Sequence, residues 1–225
     1  DLKSGDIGTR GSVTIERLEV YPGEIVGIAG ISGNGQTRLV ELLSGQASKS
    51  SGAIRVKGMH YDASRAAAQA MKVRCLPEEP LRNACVGTMS VSDNLAFRSF
   101  DRSATGAPIR LLDRRGMRRQ AERLIAAYSV KTQSPSAAIA TLSGGNVQRA
   151  VLARELQGET DVLVAANPCF GLDFGAVADI RAQLIAARNR GTALLLLSED
   201  LDEIVALSDR ILVMFEGRVV YECAG

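Results

Sequence analysis

The sequence predicts an α/β fold built on a parallel sheet with helical crossovers, and three observations predict it. Short apolar runs, "EIVGIAG" (24–30), "DVLVAA" (161–166) and "GTALLLLS" (191–198), alternate with helical patterns, as strands buried on both faces require. A glycine-rich loop, "GIAGISGNGQT" (27–37), leads from the first of these runs into a helix. The third observation is composition: 225 residues, 46% hydrophobic and 23% charged, suffice to bury one sizeable core.

Element by element, the first third is β-rich. "SVTIERLEV" (12–20) alternates apolar and polar residues, and Pro22-Gly23 makes a turn before the first buried run. "TRLVELLSG" (37–45) continues the loop as a short amphipathic helix stopped at Gly45. "GAIRVKG" (52–58) alternates again, and "MKVRCLPE" (71–78) is a strand ending at Pro77. In the middle, Met117, Ala121, Leu124, Ile125 and Tyr128 fall at helical spacing within 111–130, with arginines on the other faces. Glu122 interrupts those arginines and nothing aromatic interleaves them, so they read as a solvated helix face and not as a nucleic-acid patch. "TLSGGNVQRAVLAREL" (141–156) reads as an amphipathic helix with Ser143 as its N-cap. Helices over 175–190 and 200–207 follow, and "RILVMFEGRVVYE" (210–222) is a hairpin turning at Glu216-Gly217.

Several function classes are disfavoured at this level. A net charge of +2 gives no broad electrostatic footprint for nucleic acid. Cys75, Cys85, Cys169 and Cys223 form no C-x-x-C pair, and with the lone His60 they make no metal cluster; they read as buried, reduced thiols. No apolar run approaches the roughly 18 residues of a membrane span. The chain opens at Asp1 without a methionine, which reads as a segment of something longer.

Two motifs carry chemistry. Gly30, Ser32, Gly33, Asn34, Gly35 and Thr37 follow the phosphate-loop pattern G-x-x-x-x-G-K-[ST], with Thr37 where a magnesium-facing hydroxyl belongs, but the lysine position is Gln36. Backbone N–H groups in such a loop, helped by the helix N-terminus, point at an anion. Downstream, Leu142, Ser143, Gly144, Gly145 and Asn146 stand directly before a helix, where two glycines leave N–H groups accessible to a bulky anion.

With "NPCFGLD" (167–173) and "LLLLSEDLDEIVALSDRILVMFEGRVV" (194–220), these motifs resemble ABC transporter nucleotide-binding domains. More narrowly, the chain is similar to the C-terminal ATPase half of the tandem proteins that energise simple-sugar and nucleoside importers. The resemblance implies an ABC-type P-loop NTPase, with a RecA-like core and antiparallel β layer over 1–78 and 157–225 and a helical subdomain over 79–156. It implies ATP and Mg2+ as cofactors and a second ABC nucleotide-binding domain as partner, the N-terminal half of the same polypeptide. Transmembrane permease subunits, docking near "PEEPLRNACVGTMSVSDNL" (77–95), and indirectly a solute-binding protein complete the implied assembly, at the cytoplasmic face of the bacterial inner membrane.

Carried over residue by residue, the resemblance exposes departures. Gln36 stands for the phosphate-loop lysine, Ala166 for the Walker B aspartate and Asn167 for the water-polarising glutamate. Glu199 takes the switch-histidine position, Glu78 the Q-loop position and Asp173 the D-loop aspartate, while the signature loop 142–146 is intact. Loss of a charge-assisted bond costs about 1.5–3 kcal/mol of phosphate binding, and loss of a general base about 10²–10⁴ in rate. An ionised Glu199 about 4 Å from a γ-phosphate adds roughly 4 kcal/mol of repulsion at an effective dielectric near 20. The expectation is a domain whose own site barely hydrolyses ATP and whose signature loop completes a partner's site. The alternatives are an autonomous active NTPase and a nucleic-acid-associated ABC ATPase.

Overall fold

The computed structural model describes residues 2–4, 12–101 and 111–225. Along the chain the strands are β1 (Leu2–Ser4), β2 (Val13–Ile15), β3 (Ile25–Ala29), β4 (Ser51–Gly52), β5 (Ile54–Val56), β6 (Met59–Tyr61), β7 (Val73–Leu76), β8 (Val162–Ala166), β9 (Ala193–Ser198), β10 (Arg210–Phe215) and β11 (Arg218–Ala224). The α-helices are α1 (Gln36–Ser44), α2 (Arg65–Ala70), α3 (Pro80–Asn83), α4 (Val91–Leu95), α5 (Arg114–Ala127), α6 (Gly144–Glu155), α7 (Phe174–Asn189) and α8 (Leu201–Leu207). The chain divides into two compact units, one of Asp1–Pro77, Glu159–Phe170 and Arg181–Gly225, the other of Glu78–Gly158 and Gly171–Ile180.

The first unit is organised by a six-stranded sheet in the order β11-β10-β3-β9-β8-β7. Its strands pair in parallel from β10 to β7, and β11 returns antiparallel as the hairpin the sequence predicts. The apolar runs are buried as expected: β3 and β9 are buried along their whole length. Val26, Ile28, Leu195, Leu197, Leu212, Met214, Val164 and Ala166 form one face, packed with Leu39, Val40 and Leu42 of α1. On the other face α8 comes so close that a Cβ on Gly27 would lie 2.9 Å from Ile204 Cγ2 and 2.2 Å from Ser208 Oγ. An antiparallel layer, β2-β1-β4, and the β5-β6 hairpin complete this unit. The predicted strand over 12–20 is observed only over Val13–Ile15, whose register with β1 runs from Ser4↔Val13 to Leu2↔Ile15.

The second unit is helical. α6 carries ten buried residues of its twelve, so the expected amphipathic helix is in fact the central one, enclosed by α3, α4 and α5. Its charged end is made tolerable by pairing. Glu155, fully buried, accepts from Arg154 Nε at 2.8 Å and pairs with Arg98 at 2.9 Å. Arg154 also donates to the Ala84 carbonyl at 2.7 Å and lies 5.7 Å from the Phe97 ring centroid. Buried Asn94 ties the loop before α4 through the backbone of Val86, Met89 and Ser90. The α5 arginines 114, 115, 118, 119 and 123 are all exposed, as a solvated face requires. Among the described residues no helix is long and apolar enough to cross a membrane.

Removing one partner of a buried pair strands the other charge, whereas an exposed pair contributes little. Glu155→Ala is therefore expected to cost about 3–5 kcal/mol in urea unfolding. Lys57→Ala, which removes the exposed pair with Asp161, should cost under about 1 kcal/mol.

Candidate functional site

A parallel sheet with both faces buried can place polar side chains only at its ends, and ligands bind outside the carboxyl ends of its strands. Here three strands end level: Ala29 pairs with Ser198, and Leu197 with Ala166. The glycine loop, Glu199 and Asn167 therefore leave the sheet at one edge.

The loop is held by Asn34. Its Nδ2 donates to the Ile31 carbonyl at 3.0 Å, its Oδ1 accepts from Glu216 N at 2.8 Å, and its carbonyl accepts from Gly217 N at 2.9 Å. Gly35 sits at the start of α1 with φ +102°, where a Cβ would meet Val13 at 3.0 Å and the Gly217 Cα at 3.1 Å. Glycine is thus required on both steric and torsional grounds. Gly33 is left-handed too, with open space around it, and Ser32 and Thr37 are exposed. Gln36 folds back and donates from Nε2 to the Ile31 carbonyl at 3.2 Å. A Cβ on Gly30 would lie 2.6 Å from that Nε2, so the third glycine is the gap in which the amide rests.

The other two loops are tied to each other. Asn167, with φ +44°, donates its N–H to the Leu197 carbonyl at 2.7 Å and accepts from Glu199 N at 3.0 Å through Oδ1. Its side chain is used as a bridge, and the Glu199 side chain is exposed. Ala166 offers no ligand, and Asp161, just outside β8, sits by the far end of the strand, paired with Lys57 at 2.7 Å. The donor set thus fits a phosphate chain through backbone N–H groups, but for a magnesium ion it supplies the Thr37 hydroxyl without a carboxylate beside it. Among the described residues no cluster of three or more His, Cys, Asp or Glu has metal-holding geometry.

Beneath this edge lies a network that the sequence reading missed. Ser198 donates to the buried Glu203 carboxylate at 2.7 Å and accepts from Asp200 N at 3.1 Å. Burial, and then the Glu203 hydrogen bond, push the Cys169 thiol far above its usual range. Of the four thiols Cys169 alone is buried; the other three are half-buried, and all four are free.

In the second unit the signature segment 142–146 lies at the start of α6. Ser143 and Gly144 are exposed, whereas Gly145 is buried, a Cβ there lying 3.1 Å from Ala176. Ser143 occupies the N-cap position but its hydroxyl makes no cap bond to the backbone. Instead Asn146 Nδ2 donates to Ser143 Oγ at 2.8 Å, and Asn146 Oδ1 accepts from Lys131 N at 2.7 Å. This corrects the capping expected from sequence: the side-chain amide three residues on takes the oxygen that a backbone N–H ordinarily reaches. Asp173 accepts from Ala176 N at 2.9 Å at the start of α7. Glu78 is half-buried, and its carbonyl accepts from Asn83 Nδ2 at 2.6 Å.

A family model for the ABC transporter matches residues 15–169. The chain belongs to the ABC transporter family. It is 42% identical over 210 residues to the glucose import ATP-binding protein TsgD13 of Haloferax volcanii, covering 91% of this chain and 38% of that one. It is 37% identical over 215 residues to the guanosine import ATP-binding protein NupO of Bacillus subtilis, covering 94% and 42%. The chain therefore spans about two fifths of the length of these curated relatives. Among solved structures, a dimeric ATP-binding cassette in a post-hydrolysis state bound to ADP and Pi superposes with a TM-score of 0.79 at 17% identity, covering 99% of this chain and 96% of that one. The fold is that of the ABC cassette, a P-loop NTPase with a mixed sheet and helices.

Thiolate is the reactive form of cysteine, so a raised pKa keeps Cys169 neutral through the alkaline range in which ordinary thiols ionise. At pH 8 Cys169 is expected to resist alkylation in the folded chain and to react fully in denaturant. Peptide mass mapping checks this.

Proposed function

We propose that the chain is the hydrolysis-impaired nucleotide-binding domain of an ATP-driven importer for a simple sugar or a nucleoside. Its signature loop completes the ATP site of a competent second domain. The names of the relatives support the transport class, since they are import ATP-binding proteins for glucose and guanosine. Their greater length supports a partner domain within the same polypeptide. Permease subunits, and through them a solute-binding protein, are the further partners of this reading, at the cytoplasmic membrane face. The helical segment after Glu78 is the proposed docking surface for the permease, within a subdomain proposed over 79–156.

One contrast carries the reading. At the strand edge the lysine is replaced by an amide folded onto its own loop, and the two acids by Ala166 and by an asparagine tied to Glu199 N. The signature loop keeps Ser143 and Gly144 exposed at a twelve-residue helix start. In this reading Gly30, Ser32, Gly33, Asn34, Gly35, Gln36 and Thr37 form a cradle that binds nucleotide weakly, and magnesium only through Thr37. Glu78 and Asp173 hold the Q-loop and D-loop positions of this reading. Leu142, Ser143, Gly144, Gly145 and Asn146 serve the partner's ATP, where donors preorganised at a helix N-terminus stabilise the transferring phosphoryl group.

Two experiments test it. The chain alone at millimolar Mg-ATP is expected to show no turnover above a blank; turnover abolished by Thr37→Ala would make it an autonomous NTPase. Gln36→Lys should tighten ATP binding about tenfold, the value of one charge-assisted bond, and leave turnover flat. In the assembled transporter, Ser143→Arg should abolish ATP turnover, and Asn167→Ala should change it less than about twofold, because Asn167 has no catalytic proton to move. Equal losses in the two variants would mean that both sites hydrolyse.

A further inference from the structure

We infer that Asn146 is a positioning residue that keeps the Gly144 and Gly145 N–H groups and the Ser143 hydroxyl proton available to the anion the signature loop receives. This rests on the reading that the loop faces a partner's γ-phosphate. Asn146 is only 8% exposed, and its carboxamide is hydrogen-bonded through both its oxygen and its nitrogen. Oδ1 meets Lys131 N at 2.7 Å and Arg149 Nη1 at 3.4 Å. Both of those groups only donate, so the oxygen must face them, and Nδ2 must face Ser143 Oγ. The Ser143 oxygen is thus satisfied by a side chain.

The consequence is a count of donors. An ordinary serine cap consumes one of the free N–H groups at the helix start. Here the carboxamide substitutes for that N–H, while Asn146's own N–H goes to the Ser143 carbonyl at 2.9 Å. Among the described residues the Gly144 and Gly145 N–H groups meet no acceptor, and neither does the Ser143 hydroxyl proton. These three donors stand at the N-terminal end of α6. The same carboxamide anchors Lys131, and Lys131–Gln133 line an open depression together with Leu142 and Ser143. Asn146 touches no anion itself; it acts through Ser143.

A double-mutant cycle in the assembled transporter, reading Mg-ATP turnover, separates this role from a structural one. Ser143→Ala and Asn146→Ala are each expected to lower kcat about tenfold to a hundredfold, with KM changed less than about threefold. The double variant should be no slower than Ser143→Ala. Multiplicative losses would overturn the inference and leave Asn146 a structural residue. Wild-type turnover in Ser143→Ala would instead overturn the reading beneath it. Asn146→Asp guards against misfolding, because its carboxylate keeps the contacts with Lys131 and Arg149 and cannot donate to Ser143 Oγ when ionised. It should assemble and fall at least as far as Ser143→Ala; wild-type kcat in this variant also overturns the inference.

Discussion

The constraint on which this molecule depends is the burial of a parallel sheet on both faces. Strands such as Ile25–Ala29 and Ala193–Ser198 have every residue buried, so no position along them can carry a polar side chain without a partner. The chemistry is displaced to the places where the chain leaves the sheet. Because β3, β9 and β8 end in register, one edge gathers the glycine loop, Glu199 and Asn167 from three distant parts of the sequence. The same constraint keeps Asp161 away from that edge: it enters β8 from the opposite end and is paired with Lys57.

What the edge then does is set by short polar contacts. Asn34 pins the loop to the β10–β11 turn, and Gln36 fills the gap above Gly30 with its own amide. Asn167 spends its oxygen on the Glu199 backbone. Where a catalytic edge keeps its polar groups directed at a ligand, the amides of Asn34, Gln36 and Asn167 are directed here at the protein's own backbone, which accords with the proposed hydrolysis-impaired site. The helical unit shows the opposite economy. Glu155 and its two arginines, and the Asn94 network, absorb polar groups deep in the unit. The end of α6 stays exposed, and Asn146 braces it from below.

Much of this was legible in the sequence. Apolar runs of five to six residues alternating with helical periodicity are enough to place a parallel sheet, and fixed spacings identify the glycine loop and the LSGGN segment. Three readings were altered by tertiary context. The alternation of 12–20 extends beyond the strand, because alternation alone does not supply a pairing partner, and the described pairing with β1 covers Val13–Ile15. The helix 141–156 has an amphipathic sequence pattern, yet its polar residues Asn146, Gln148, Arg154 and Glu155 are buried. Periodicity records hydrophobicity and cannot foresee that charges will neutralise one another inside a unit. Ser143 has the residue type of an N-cap, but its hydroxyl bonds to a side chain three residues on.

The sequence by itself determined the fold class, the order of the elements and the residue types at the phosphate and signature loops, because these depend on local periodicity, glycine torsions and fixed spacing. Only the tertiary structure decided where each amide points. Asn34, Asn146 and Asn167 are one residue type, yet the first closes a loop onto a hairpin, the second braces a serine, and the third ties two strand ends. An amide can donate and accept at once, so its role is fixed by whichever backbone groups the fold leaves unsatisfied beside it. Those groups come from segments far apart in sequence, such as Glu216 beside Asn34 and Glu199 beside Asn167.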